Sequence, residues 1–271
     1  MKKLFTILFL LALCFACGAR SDETSPEMAQ SLLKVRGYDY TEEGLFNAIK
    51  QSDAAGVKLF MQAGINPDAR NKNGETALTF AVAGGDLPTV KVLVENKANI
   101  NERDGLGNMP LYVALKKQRD DVFNYLLEKG ADPNSDGTVK NTKNQSVLWV
   151  AVLREMPDVV KTLIDKGADP NRPDNAGALP ISEIILSYQP KMESFRAMLP
   201  KITDVNKPEN DGSTLLIYSA KNKRLTTEER SEIIKALLDK GADKKLKDST
   251  GKTALDWAKE KKNTEAIELL K

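Results

Sequence analysis

The sequence predicts an all-α chain: a solenoid of about seven helix-turn-helix units with projecting hairpin loops. Three observations predict it. An apolar anchor recurs with a period near 33, at Leu45, Leu78, Leu111, Leu148, Ile181, Leu216 and Leu255, with spacings of 33, 33, 37, 33, 35 and 39. Three positions after the anchors stand small residues, Ala48, Ala81, Ala114, Ala151, Ser219 and Ala258, with Ile184 the exception. Nineteen positions after the anchor comes Gly64, Gly130 or Gly167, with Lys97 in that place in one copy and Gly241 displaced by an insertion. Every departure from 33 is an insertion, which places the extra residues in loops.

Taken from the start, residues 1–17 read as an export signal. Lys2 and Lys3 precede an apolar run, Leu4 to Ala16, broken only by Thr6. Its thirteen residues suit a signal core and fall short of the ~20 that a spanning helix needs. Ala16 before Cys17 and Gly18 after it resemble a bacterial lipoprotein signal, in which the cysteine is lipidated and becomes the new N-terminus. Cys14 and Phe15 depart from that pattern, where leucine and a small residue are usual. The resemblance implies lipidation at Cys17; the polar composition of 20–27 reads as a flexible tether over 18–27, and the repeats fill 28–271. Cleavage that releases a soluble protein is the alternative. Both cysteines lie in this segment, so the remainder carries no thiolate chemistry. Without Lys2 and Lys3 the balance is 38 basic against 38 acidic side chains, and no global pull toward nucleic acid remains.

At the end of the tether, Ser25-Pro26 predicts the start of a capping helix through Met28, Leu32 and Leu33 that stops at Gly37. In the repeats, Thr76, Ser146, Thr214 and Thr253 are expected to cap helices through their hydroxyls, while Pro110 and Pro180 sit in first turns. These features, with Gly130-Ala131-Asp132-Pro133-Asn134 and Gly167-Ala168-Asp169-Pro170-Asn171, resemble the ankyrin-repeat family from about Thr41 to Lys271. The family's helix-start histidine is missing in every copy; Trp149 stands in one such place and is expected to pack between helices. The copy after Ile181, with Pro190 and Pro200, reads as the weakest. The charged run Asp256–Lys262 is expected to face water.

The chain holds no histidine, which removes the commonest general base and transition-metal ligand. The carboxylates of the repeat turns, such as Asp169 and Asp204, are explained by turn formation. No catalytic residue, metal or cofactor is expected. The resemblance implies a non-catalytic scaffold that binds a protein partner through a concave face of hairpin tips and inner helices, and that acts as a monomer. Carried over by position, that face includes Lys72, Phe80, Val113, Lys116, Lys117, Lys143, Val150, Arg154, Tyr218 and Trp257. Lys116, Lys117, Lys143 and Arg154 suggest a locally basic groove beside Phe80, Val113 and Val150. The insertion 136–144 reads as a lengthened hairpin. With the signal, this gives an exported protein of the periplasm or cell surface, held on the outer membrane through Cys17. There the resemblance permits a role in supporting another envelope protein, such as a catalase, or in neutralising a toxin. A surface protein binding a host ligand is the second reading, and a carboxylate-dependent enzyme a distant third.

Overall fold

The computed structural model describes residues 24–139, 142–174 and 177–271. The signal run, Cys17 and residues 18–23 of the tether lie outside the described residues. Among the described residues there are fifteen α-helices, one 3-10 turn and one two-stranded sheet. They divide into two compact units with a boundary between Ala131 and Asp132.

The first unit opens with α1 (Pro26–Arg36), started by Ser25, whose hydroxyl accepts from the Met28 amide, and closed by Gly37 at φ 87°. Three helix pairs follow: α2 (Glu42–Lys50) and α3 (Ala54–Gln62), α4 (Ala77–Gly84) and α5 (Leu87–Glu95), α6 (Pro110–Lys116) and α7 (Asp120–Glu128). Helix α1 packs on α3 and buries Ala29 and Leu33 completely. Its Arg36 reaches the Asp53 carboxylate at 2.8 Å, while Asp53 caps α3 through the Gly56 amide at 2.9 Å. The second unit begins with a hairpin, β1 (Asp136–Val139) antiparallel to β2 (Thr142–Ser146), paired Asp136 to Ser146 and Gly137 to Gln145. It carries α8 (Val147–Leu153) and α9 (Pro157–Asp165), α10 (Pro180–Leu186) and α11 (Met192–Met198), α12 (Leu215–Lys221) and α13 (Thr227–Asp239), α14 (Ala254–Glu260) and α15 (Thr264–Leu270).

Within each unit the first helices of successive pairs pack on one another, and the anchors form the core. Leu45, Leu78, Leu111, Leu148, Ile181 and Leu216 are at most 1% exposed. Leu255 is partly exposed. The small residues lie at 0–1%, where any larger side chain would push the helices apart. Ile184 takes that place at 4%. Thr76, Ser146, Thr214 and Thr253 cap their helices as expected, and Thr41 does the same for α2. Where Pro110 and Pro180 open the helix, Met109 and Leu179 give no side-chain cap; proline lacks the amide that such a cap leaves unserved.

The structure corrects one expectation about the insertions. Of the six residues by which the last interval exceeds 33, two lengthen the turn Asn222–Thr226, and four extend α13 to 13 residues against nine in α9. The capping box of Thr226 and Glu229 starts the longer helix. In the interval after Ile181 the two extra residues do fall in a turn, 187–191.

Neighbouring repeats are tied through their turns. Asp132, Asp169, Asp204 and Asp243 each accept the amide two residues on. That leaves the following asparagine free to reach across: Asn134 Oδ1 accepts the Asp169 amide at 2.8 Å, Asn171 the Thr203 amide at 2.9 Å, and Asn206 the Asp243 amide at 2.7 Å. Their Nδ2 groups donate to the carbonyls of Gly167, Lys201 and Gly241. In the first unit Asp68 accepts the Asn99 amide in the same manner.

Gly64, Gly130, Gly167 and Gly241 close second helices at φ 87–96°. Lys97 holds the equivalent place at φ 69°, a left-handed conformation that costs a residue with a Cβ about 1–2 kcal/mol. Its side chain is exposed. Lys97→Gly should therefore stabilise the first unit by about 0.5–1 kcal/mol, the relieved strain less the added chain entropy of glycine. A raised urea midpoint at unchanged slope checks this.

Candidate protein-binding groove

In the first unit, helix α2 and the hairpin before α4 enclose a groove of about 470 Å³. Glu42, Glu43, Phe46 and Asn47 line it from the helix, and Arg70, Asn71, Lys72 and Asn73 from the hairpin. Asn71 shapes that hairpin, its Oδ1 accepting the amides of Asn73 at 2.9 Å and Glu75 at 3.0 Å. Phe46 meets Phe80 edge to face, with centroids 5.5 Å apart. Arg70 bonds Glu102 and the Arg103 carbonyl, tying the hairpin to the next one, and the Gly105 amide donates to the Gly74 carbonyl at 2.8 Å. Lys72 stands 90% exposed with Glu43 at 3.8 Å, an ion pair too open to hold it against a competing partner. Phe46, 8% exposed, gives the groove only a narrow apolar edge; its open surface is the charged rim of Glu42, Glu43, Arg70 and Lys72, which suits a polar protein surface.

Of the residues expected at a binding face, the structure places Lys72 in the lining of this groove, and Phe80 behind it against the Phe46 ring. Lys116 and Lys117 are exposed at the end of α6, Lys116 lying over the Tyr112 ring at 5.4 Å. Arg154 is exposed just after α8 in the second unit, and the side chain of Lys143 lies outside the described residues. Val113, Val150 and Tyr218 need correction. They are 8%, 7% and 7% exposed and so belong to the cores of their own units. The exposed apolar side chain near Val150 is Leu153, at 49%.

Tyr218 and Trp257 serve the interior of the second unit. The Tyr218 hydroxyl lies 2.9 Å from Asp211 and 3.1 Å from Glu209 and can donate to one of them at a time. Burial and these two carboxylates push its pKa well above the phenolic range. Glu209 also accepts the Leu179 amide of the preceding repeat at 2.9 Å. Trp257, 9% exposed, donates from Nε1 to Asp248 at 2.6 Å, and Lys252 and Lys261 lie over its ring at 4.3 and 4.6 Å. The run Asp256–Lys262 thus presents Asp256, Lys259, Glu260 and Lys262 to water but turns Trp257 and Ala258 inward. Trp149 is buried at 4%, as expected.

Phe46 was missed as a groove residue. It follows the anchor Leu45, where Tyr112 and Trp149 stand in later copies, and that aromatic recurrence was the available signal.

Helix pairs joined by hairpins, repeating every 33 residues around buried anchors, define a repeat protein of the protein-binding class. The chain belongs to the ankyrin-repeat family: a model of three ankyrin repeats matches residues 45–137 and 184–271, and a single-repeat model matches 143–175. Repeats of this kind typically mediate protein–protein interaction. Protein phosphatase 1 regulatory subunit 27 of Mus musculus is 35% identical over 113 residues, covering 40% of this chain and 73% of that protein. The ankyrin-repeat protein nipk-1 of Caenorhabditis elegans is 28% identical over 94% of this chain and 39% of its own length. Among solved structures, the ankyrin domain of Bcl-3 superposes with a TM-score of 0.64 at 23% identity, covering 83% of this chain and 96% of that one. Human ASB11 gives 0.55 at 24%, covering 84% and 97%.

Proposed function

We propose that this chain is an exported, lipid-anchored adaptor that binds another envelope protein through its hairpin-and-helix surfaces. The observation that carries the reading is the first-unit groove, with the open Lys72 cation on its rim and the edge of Phe46, backed by Phe80, within it. A relative named as a regulatory subunit of a phosphatase supports a partner that is itself an enzyme; a catalase or a toxin fits the same role. The chain contributes recognition and no chemistry. Ala16 and Cys17 support an acyl anchor on the outer membrane, facing the periplasm or the outside.

Affinity capture from envelope extracts tests the binding reading. The wild-type chain should enrich one protein that a Lys72→Glu, Phe80→Ser variant loses by about tenfold or more, since a central aromatic contact and a reversed charge both weaken an interface. Equal enrichment by both forms removes the groove from the reading. For the anchor, fatty-acid labelling should mark the wild type and not Cys17→Ser. An unlabelled wild type overturns that part alone.

A further inference from the structure

A second cavity, of about 490 Å³, lies between the turn joining α12 to α13 and the turn joining α14 to α15. These turns sit at the opposite end of the first helices from the hairpins, so the cavity is separate from the hairpin-side surfaces of partner recognition. Lys223, Thr227, Arg230, Lys262, Asn263 and Glu265 line it.

Arg230 is the unusual member. It is only 8% exposed, yet no carboxylate lies within ion-pair distance of it among the described residues. Its Nη2 donates to the Asn222 carbonyl at 2.6 Å, while the buried Nε has no acceptor. A guanidinium presents five N–H donors in a planar fork matched to paired oxygens, and a buried one without a counter-charge is costly. Burial pulls its pKa down, against the more distant pull of Glu265 and Glu229. Those two acids are committed elsewhere: Glu265 takes the Ser231 hydroxyl, and Glu229 takes the Thr226 amide at 2.8 Å.

Around this donor the cavity collects further positive character. Lys223 and Lys262 are exposed and make no ion pair among the described residues, and the left-handed backbone of Lys262, at φ 55°, carries the chain through this turn. Lys261 also lines the cavity but pairs with Glu260 at 2.8 Å. Thr227 opens α13 on the same wall, its hydroxyl a further donor, while Glu228 and Glu229 occupy the first turn of that helix. Arg230, Lys223 and Lys262, none in an ion pair among the described residues, outnumber the Glu265 carboxylate that lines the same cavity and suit a dianion with several acceptor oxygens.

We propose that this cavity binds a phosphate group, seated against the Arg230 guanidinium and held by Lys223 and Lys262. Free phosphate and a small phosphate monoester share this chemistry, and titration with inorganic phosphate and with phenyl phosphate separates them. The full chain is titrated at constant ionic strength, with ³¹P line broadening and the thermal unfolding midpoint as readouts. Wild type should show saturable one-to-one binding of at least one probe and a raised midpoint, because a ligand that binds only the folded state stabilises it. The tighter probe identifies the source. Lys223→Ala with Lys262→Ala changes exposed side chains and should keep the unliganded midpoint while weakening binding by about tenfold or more. Arg230→Met should abolish binding, and the lysine pair keeps the test decisive if that variant fails to fold. No saturable response to either probe, unchanged affinity in the double-lysine variant, or acetate binding as tightly as phosphate would each overturn the proposal.

Discussion

Phe60→Ala is expected to destabilise the first unit by about 3–5 kcal/mol, the usual cost of emptying a buried aromatic site. Phe60 lies on α3 at 0% exposure, between Tyr38 at 6.0 Å and Tyr40 at 6.5 Å. Both tyrosines belong to the link between α1 and α2, and the Tyr40 hydroxyl donates to the Ala63 carbonyl at 2.7 Å. Gly44 makes room for the ring: a Cβ there would stand 3.1 Å from Phe60 Cζ and 2.1 Å from the Asp39 carbonyl oxygen. Phe60 therefore clamps the capping segment to the first repeat. Removing the ring leaves a cavity and two tyrosines without their shared neighbour, adding to the loss. Urea unfolding measures the total, and amide exchange should locate the earliest opening in α1 and residues 38–44. A loss below about 1 kcal/mol would mean the site collapses to fill the space and the clamp is not real.

Asp248→Asn should cost the second unit about 2–3 kcal/mol at neutral pH and flatten its acid sensitivity. Asp248 is 6% exposed, and its two oxygens divide the work. Oδ1 accepts from the Thr250 amide, the Thr250 hydroxyl and the Lys252 amide, while Oδ2 accepts the Trp257 indole N–H at 2.6 Å. An asparagine has one acceptor oxygen, so its NH₂ would face a donor on one side. Burial alone would raise the carboxyl's pKa, but these bonds outweigh it and hold the group at about 2. An unfolded aspartate titrates near ~3.9, so between those values the unfolded chain binds more protons. The stabilisation is complete above the unfolded pKa and is lost as pH falls toward 2. It amounts to roughly 2 kcal/mol once solvent screening is discounted. Wild type and variant should differ most at pH 7, with the gap narrowing below about pH 4 and closing only as pH approaches 2. A constant gap across that range would remove the carboxylate's charge from the account.

The repeat frame was legible because the residues that build it have few substitutes. A buried anchor must be apolar, the position facing the next helix must be small, and the closing residue of a second helix takes glycine readily. Where one of these requirements loosens, the signal disappears. Ser52, Gln118, Glu155 and Lys262 adopt positive φ at the ends of first helices, where only Gly85 announced the turn. Four different side chains tolerate the strain, so no pattern emerges. Val113, Val150 and Tyr218 occupy positions that family geometry assigns to a face, but exposure there depends on how closely the flanking helices approach, and spacing along the chain does not encode that distance. The lengthening of α13 was hidden for a related reason. Thr226-Thr227-Glu228-Glu229 reads as polar loop until the capping box is recognised, and then it starts a helix.

The asparagine links between repeats have an evolutionary consequence. The side chains of Asn134, Asn171 and Asn206 reach the next repeat mainly through its backbone amides and carbonyls, with the Thr203 hydroxyl on Asn171 the one side-chain addition. Every residue except proline offers both groups, so the joint makes almost no demand on the identity of the side chains across it. A unit can be duplicated, deleted or exchanged without a matching change in its neighbour, provided the turn keeps its two short polar residues. Binding surfaces can then diversify on the hairpins while the joints remain interchangeable. An array of this kind lengthens by copying, and copies that differ by two, four or six residues, as here, stay compatible with the rest.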